Sequence, residues 1–270
     1  TDLVVFTDAN AMLNPQALRR IVAHFGDPEV GSVAGEKRVM ADETGSVSGR
    51  GEGLYWRYES TLKRIDATLW SAAGAAGELF AVRSRLWTDL PEDTLLDDFV
   101  VSLRIAERGY RIAYAPDAWA AEAPSLNLRE EWKRKVRIAA GGLQAIGRLP
   151  GLLGLRSPRL TFAYVSHRVL RWTVIPLLLP ILPVLCVAAA ASTSDPLYTV
   201  LSAGVAVGLV AVAMAARLQW NGRSAGPLTP FFYFAFMNAA VWAGAVRLLR
   251  RRQQVTWERA ARHGAAISVR

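Results

Sequence analysis

The chain has 270 residues, of which 52% are hydrophobic and 20% are charged, and its formal net charge at pH 7 is +9. That length allows one or two domains. The apolar excess lies in the last third of the chain, so it indicates a membrane region rather than a larger soluble core. The basic residues flank the apolar segments, which favours anionic lipid headgroups over nucleic acid as their partner.

The cysteine and histidine content argues against a disulfide-stabilised protein and against a metal site built from histidines. A single cysteine, Cys186, excludes a disulfide framework, and its position in an apolar run disfavours a catalytic thiol. The three histidines are far apart and have no metal-ligand spacing. The sequence starts inside a predicted strand, with no initiator methionine and no signal peptide. We therefore expect strands that carry the nucleotide-base contacts to precede Thr1.

The first strand ends at an acidic residue. Leu3 to Phe6 is a short apolar run that predicts a buried strand, and Asp8 follows its carboxyl end. Ligands of open α/β sheets bind at that edge, and a carboxylate there can hold Mg²⁺ together with substrate phosphates. Asp8 could equally cap a following helix or turn, and the residues alone leave both interpretations open.

The next elements are read from caps and periodicity. Asn14, followed by proline, predicts the N-cap of a helix that ends at Gly26. Val30 to Ala34 predicts a second short strand. Residues 41–53 are rich in glycine, serine and charge, which predicts a surface loop, and a helix from Leu54 to Leu69 follows.

A glycine-flanked turn leads into another strand over Gly74 to Arg83. Its glycines could let the backbone approach a ligand closely, or could only make a tight bend. Two short strands, Arg111 to Ala115 and Ala118 to Ala121, are predicted later in the chain.

Asp97 and Asp98 begin the helix that ends at Gly109. Acids in a first helical turn complement the helix dipole, which is the structural interpretation. The functional interpretation is that one of them is a general base, with a pKa raised by its acidic neighbour and by a substrate diphosphate.

A strongly basic amphipathic helix is predicted from Leu128 to Ile146. Arg134 and Arg137 are three residues apart and share a helix face. Guanidinium groups match phosphate oxygens, so the pair would suit a leaving diphosphate. The alternative is a solvated face, or one that lies on anionic lipid.

Three apolar segments complete the chain. Trp172 to Ala216 is long enough for two membrane spans broken at Ser192 to Pro196, and Leu228 to Val246 is the third segment. Basic residues before the first span and after the second place the preceding domain in the cytoplasm. Arg247 and the arginines at 250–252 also favour the cytoplasm, which conflicts with three full spans, so the third segment could span, lie at the interface or re-enter.

In this order the motifs resemble those of a membrane-bound family 2 glycosyltransferase of the cellulose-synthase-like type. The resemblance covers nearly the whole chain and is carried by Thr7-Asp8-Ala9-Asn10 with Asn14-Pro15, Gly74 to Arg83, Asp97-Asp98 with Leu103-Arg104 and Gly109-Tyr110-Arg111, Arg134 to Ile138, and the closing apolar segments. It implies an α/β fold. Residues 1–150 would form the carboxyl-terminal part of a Rossmann-like GT-A domain. Residues 151–270 would form a membrane region of two to three apolar helices with a basic tail.

The resemblance also implies roles for the acidic residues. Asp8 stands where the family's metal-binding Asp-x-Asp begins, and Asn10 stands at its second acid, where it offers a neutral oxygen. The metal would be Mg²⁺ or Mn²⁺. Asp98 matches the catalytic base, and Asp97 replaces the more usual glutamate beside it.

Further roles concern the donor and acceptor. Arg134 and Arg137 would bind the donor diphosphate, and Gly74, Gly77 and Glu78 would shape the acceptor site. Ile138 replaces a tryptophan that stacks on the acceptor sugar in processive synthases. This departure leaves a shorter transfer open.

The resemblance implies an inverting transfer from a nucleotide-diphospho-sugar to a saccharide acceptor at the cytoplasmic face of the inner (plasma) membrane. Membrane lipids would be partners, and nucleic acid would not. One alternative is transfer of a single sugar to a lipid carrier. An alternative of another class is a non-catalytic membrane component that binds a nucleotide or an anionic partner.

Overall fold

A computed structural model describes residues 2–40, 47–154, 156–193, 195–221 and 223–250, without the side chains of 47–50. Its five strands are β1 (Leu3–Thr7), β2 (Met12–Leu13), β3 (Val30–Val39), β4 (Leu79–Arg83) and β5 (Arg111–Glu122). They form one mixed sheet in the order β1-β4-β3-β5-β2. Among the described strands, only β3 and β5 pair in parallel. In the described sheet β1 lies at an edge and is partly buried rather than fully buried as predicted.

The two short strands predicted after Gly109 are one strand with an irregularity. Gly35 pairs with Ala115, and the next residue of β3 pairs with Trp119, so three residues of β5 have no partner in β3. Asn14 holds this bulge: its Oδ1 accepts the Trp119 N–H at 2.9 Å and its Nδ2 donates to the Asp117 carbonyl at 3.2 Å. The prediction that Asn14 caps a helix is therefore wrong, and Gln16 occupies the N-cap position.

Nine α-helical segments are present in the described residues: α1 (Ala17–Ala23), α2 (Val47–Leu69), α3 (Asp97–Glu107), α4 (Leu128–Arg148), α5 (Pro158–Tyr164), α6 (Leu170–Trp172), α7 (Val174–Ser192), α8 (Pro196–Trp220) and α9 (Thr229–Leu249). Two buried apolar clusters cover the sheet. One contains Ile21 of α1, and the larger one contains Leu103 of α3. Burial on both faces leaves the strand ends as the place where polar side chains gather.

Helix α2 begins earlier than its composition predicts. Residues 41–46 lie outside the described residues, but 47–53 are helical and not loop. Packing explains the difference, because a Cβ built on Gly51 would lie 2.5 Å from the ring of Tyr233 on α9. The glycine thus lets two helices approach closely, and tertiary contact overrides its low helix propensity.

Three helices in the described part of the chain are long and apolar enough to cross a membrane: Val174–Ser192, Pro196–Trp220 and Gly226–Leu249. The third differs from the other two because its small residues pack against α4. A Cβ on Gly244 would lie 2.8 Å from the Val136 carbonyl oxygen and from the Ala140 nitrogen. Arg247 lies in α9, whereas residues 251 and 252 are outside the described residues.

Candidate active site

Asp8 follows the end of β1, as the sequence predicts. Its carbonyl accepts the N–H of Ala11 at 3.0 Å, which makes a turn, and the short strand β2 follows at Met12. Because a turn and not a helix begins there, Asp8 does not cap a helix, and of the two capping interpretations only the turn-capping one remains beside the metal-binding one. The turn leaves the Asp8 side chain at the end of the sheet where β1 stops.

Three carboxylates meet at this end of the sheet. Oxygen atoms of Asp8, Glu78 and Glu122 all lie within 4.8 Å of one another. These residues come from the ends of three different segments, and the sheet brings them together. Glu78, predicted for the acceptor site, therefore stands beside Asp8. Asn10, predicted as the second metal ligand, donates from Nδ2 to Glu122 Oε1 at 3.3 Å.

A buried lysine neutralises part of this acidic cluster. The Lys37 ammonium donates to Glu122 Oε2 at 2.6 Å and also to Glu78. Burial alone would raise the pKa of Glu78, but the Lys37 charge and hydrogen bond outweigh it and hold that pKa at about 2. Glu78 is therefore ionised at neutral pH.

The donor set fits a hard divalent cation, because such ions take carboxylate and amide oxygens. Asp8 is the exposed member of the cluster, whereas Glu122 is buried. Because it is the exposed member, the Asp8 carboxylate is the one that a cation could share with a substrate diphosphate. The residues present thus fit the Mg²⁺ or Mn²⁺ that the resemblance implies.

The two glycines in the turn before β4 have different surroundings. Gly74 has a positive φ of 107°, and a Cβ there would lie 2.5 Å from the Phe99 ring. It makes a tight bend and packs on α3. Gly77 instead faces the acids: a Cβ there would lie 3.3 Å from Asp98 Oδ2 and 3.8 Å from Asp8 Oδ1. Asp8 and Asp98, 90 positions apart in sequence, therefore line one cleft.

Asp98 has a strongly perturbed ionisation. Burial raises its pKa to about 7, and the Asp97 carboxylate adds to the rise. The Phe99 backbone N–H opposes that shift, and the charges of Glu78 and Asp8 reinforce it. A carboxyl group with a pKa near neutrality is suited to take up a proton at physiological pH.

The two arginines of α4 have different surroundings. Arg134 is buried and pairs with Glu52 and with Glu131, whose Oε2 is 3.2 Å from Arg134 Nη2. Arg137 Nη2 donates to the Leu95 carbonyl at 3.1 Å. Burial lowers the pKa of Arg137, while the carboxylates of the acidic pair at the start of α3 oppose that shift. Arg137 thus lies near the predicted base, and the diphosphate-binding role of both arginines stays a prediction.

Sequence reasoning missed Lys37 and Glu122. Glu122 ends a strand, as Asp8 nearly does, and the same strand-end argument could have found it. Lys37 carries no such signal, because it occupies an ordinary position in β3 and pairs with residues 41 and 85 positions away.

Residues 3–218 match the model of the glycosyl transferase family group 2. That match covers most of the chain. The chain belongs to the family 2 glycosyltransferases. A solved structure with a similar fold is the mannosyltransferase PcManGT from Pyrobaculum calidifontis in complex with GDP-Man and Mn²⁺, with a TM-score of 0.63 and 24% identity over 93% of this chain and 63% of that one. The prediction of an α/β GT-A domain followed by apolar helices is confirmed.

Curated relatives of this family 2 glycosyltransferase include the poly-β-1,6-N-acetyl-D-glucosamine synthases of Staphylococcus aureus strains COL and N315. Each is 26% identical over 150 residues, which is 54% of this chain and 36% of the relative. The aligned part thus spans about a third of the length of these synthases.

Proposed function

We propose that this glycosyltransferase moves a sugar from a nucleotide-diphospho-sugar to a hydroxyl group of a saccharide acceptor, with inversion at the anomeric carbon. The observation that carries the proposal is the convergence of Asp98 and Asp8 on Gly77. It provides a base and a site for a diphosphate-bound cation within one cleft, as a single displacement requires.

Asp98 is the proposed base. The acceptor oxygen attacks the anomeric carbon, the bond from that carbon to the diphosphate breaks, and the acceptor proton moves to the Asp98 carboxylate. With a pKa of about 7, a large fraction of Asp98 is ionised at neutral pH, and its conjugate acid is weak enough to hold the proton. Asp97 assists by keeping that pKa high.

The remaining groups act on the leaving diphosphate. When bound, Mg²⁺ or Mn²⁺ at Asp8 would stabilise negative charge on the diphosphate oxygens. Arg137 and Arg134 would add guanidinium hydrogen bonds to the same group. Gly77, with no side chain, leaves room for the reacting sugar between the two aspartates.

The relatives and the charge pattern support the proposed partners and location. The mannosyltransferase was solved with GDP-Man and Mn²⁺, and the staphylococcal relatives make a polysaccharide, which supports a nucleotide-sugar donor and a glycan product. The distribution of arginines supports a multi-pass protein of the plasma membrane with its catalytic domain in the cytoplasm. Because Ile138 stands where processive enzymes have tryptophan, transfer of one sugar to a lipid carrier is the second candidate.

The test uses the whole chain in membranes, labelled GDP-mannose and UDP-N-acetylglucosamine as donors, and Mn²⁺. We expect labelled product from one of the two donors. A ladder of product sizes would indicate a polymerase, whereas one lipid-soluble product would indicate the second candidate. Asp98→Asn should bind donor normally and lose about 10²–10⁴-fold in turnover. The control Asp89→Asn removes an exposed carboxylate elsewhere and should leave turnover unchanged.

Two results would contradict the proposal. Near-normal turnover of Asp98→Asn would remove this residue from the role of base. A wild-type protein that binds donors but transfers neither sugar to any acceptor, nor to water, would instead support a non-catalytic membrane component.

A further inference from the structure

Helix α2 carries a stripe of polar side chains where an ordinary surface helix carries apolar ones. The spacing alternates between four and three residues, which keeps the stripe on one helix face. Its members are Glu52, Trp56, Glu59, Lys63 and Asp66. The four charged members are all at most 4% exposed. Burying that much charge is costly unless each group has a partner.

The three acids of the stripe have such partners. Each is paired with a basic side chain from another segment: Glu52 with Arg134, Glu59 with Arg168 at 2.8 Å, and Asp66 with His167 at 3.0 Å. These pairs hold α2 against α4 and against the segment that leads into the membrane helices.

Lys63 is the exception. It is 4% exposed, and in the described part of the chain no acceptor forms a hydrogen bond or an ion pair with its ammonium group. The ammonium lies over the Trp56 ring, whose centroid is 5.8 Å from Nζ, a cation–π contact. The Trp56 indole nitrogen likewise has no hydrogen-bond partner among the described residues. Two neighbouring donors on one helix face thus need acceptor oxygens.

The position of this pair relates it to the active site. Lys37 Nζ lies 4.7 Å from the centroid of the same Trp56 ring, and Lys37 binds two carboxylates of the acidic cluster. Lys63 and Lys37 are therefore within about 11 Å of each other, with one indole ring as their common neighbour. A molecule bound at Lys63 would lie beside the acids that surround the reacting sugar.

The charge around Lys63 indicates the class of ligand. Burial lowers the pKa of Lys63, and the carboxylates of Glu78 and Glu59 oppose that shift, as does that of Glu36, whereas Arg168 adds to it. The cations Lys63, Arg168 and Lys37 balance these three carboxylates, so the site has no excess positive charge to attract a phosphate or a uronate. A neutral sugar needs no such excess, and its hydroxyl oxygens can accept the hydrogen bonds.

We propose that Lys63 and Trp56 form an acceptor subsite, in which their N–H groups donate hydrogen bonds to the hydroxyl oxygens of a neutral saccharide unit. The subsite rests on the proposed function, because it presumes a saccharide acceptor. It would supply an acceptor contact in a chain that has Ile138 in place of the expected tryptophan.

The experiment replaces Lys63 by methionine, which keeps the length of the side chain and removes its hydrogen bonds. Full-length protein in membranes is given the donor that the wild type uses, and short neutral oligosaccharides of N-acetylglucosamine or mannose are the acceptor probes. We expect Lys63→Met to raise the acceptor KM about 10- to 100-fold, as loss of a charged hydrogen bond does. Donor KM and hydrolysis of donor by water should not change, and Lys63→Arg should retain much of the acceptor affinity.

The matched control is Lys133→Met, since Lys133 is an exposed lysine of α4 whose ammonium pairs with Glu130. It should leave the acceptor KM unchanged. If thermal unfolding shows that Lys63→Met does not fold, Trp56→Phe is tested in its place. It should raise the acceptor KM and leave the donor KM unchanged.

An unchanged acceptor KM in the folded Lys63 or Trp56 variant would overturn the subsite while leaving the transferase proposal intact. A parallel loss of donor hydrolysis would also overturn it, because a purely structural defect acts on both reactions. If the wild-type protein neither transfers sugar to an acceptor nor hydrolyses the donor, the proposed function itself is contradicted, and so is the subsite that rests on it.

Discussion

Asp98→Asn should stabilise the protein at alkaline pH and inactivate it at the same time. Burial and the neighbouring Asp97 raise the pKa of Asp98 from 3.8 to about 7. The folded state thus holds this proton more tightly than the unfolded state does. Protonation of Asp98 therefore favours folding, and the penalty for ionising it grows as the pH rises from about 4 to about 7.

The size of that penalty follows from the shift. A difference of about 3 pKa units at 1.36 kcal/mol per unit gives about 4 kcal/mol, which is an upper value for a group that can relax. Asparagine cannot ionise, so the variant avoids the penalty. We expect the melting temperature at pH 8 to rise by up to on the order of 10 °C, and the difference from wild type to disappear near pH 4.

The assay is thermal unfolding in detergent at pH 4, 6 and 8, with a chelator present because a bound cation would lower the pKa of Asp98. Asp89→Asn is the control for loss of an exposed carboxylate. Asp97→Asn should lower the pKa of Asp98 and give a smaller stabilisation of its own. Equal stability of wild type and Asp98→Asn at pH 8, or the same difference at every pH, would refute the electrostatic argument.

Three further predictions test other parts of the structure. Asp8→Ala should abolish metal-dependent donor binding, measured by calorimetry with and without Mn²⁺, and unchanged donor affinity would contradict the cation site. Lys37→Met should destabilise the fold by about 3–5 kcal/mol, because the buried Glu122 and the partly buried Glu78 lose their counter-ion; a denaturant midpoint equal to wild type would argue against that. Gly244→Ala should cost about 1–3 kcal/mol by forcing α9 from α4. Gly204→Ala, where a Cβ meets nothing within 4 Å, is the matched control, and an equal effect of both would be inconsistent with close packing.

Local signals in the sequence predicted those parts of the fold that depend on local interactions. The acids of α3 stand at its first turn, and the apolar runs became helices α7 to α9. The start of α2 could not be predicted, because it depends on contact between Gly51 and a ring 182 positions away. Asn14 looked like a cap because asparagine suits both caps and bulges, and only the position of Trp119 distinguishes the two.

The candidate site was predictable to a similar extent. A strand end identifies Asp8, and a helix start identifies Asp98, since each position has its own local pattern. Lys37 has none, and its role appears only when three strands come together. The two arginines of α4 were predicted as a pair from their spacing, yet Arg134 meets carboxylates that helical periodicity alone cannot reveal.

Gly244 and Tyr233 fasten the third apolar helix to α4 along much of its length, since the Tyr233 hydroxyl also donates to Glu131 at 2.6 Å. Glu131 in turn binds Arg134, so a continuous chain of contacts joins the third apolar helix to an arginine of the catalytic domain. A displacement of α9 relative to α4 would therefore be transmitted through Tyr233 and Glu131 to that guanidinium.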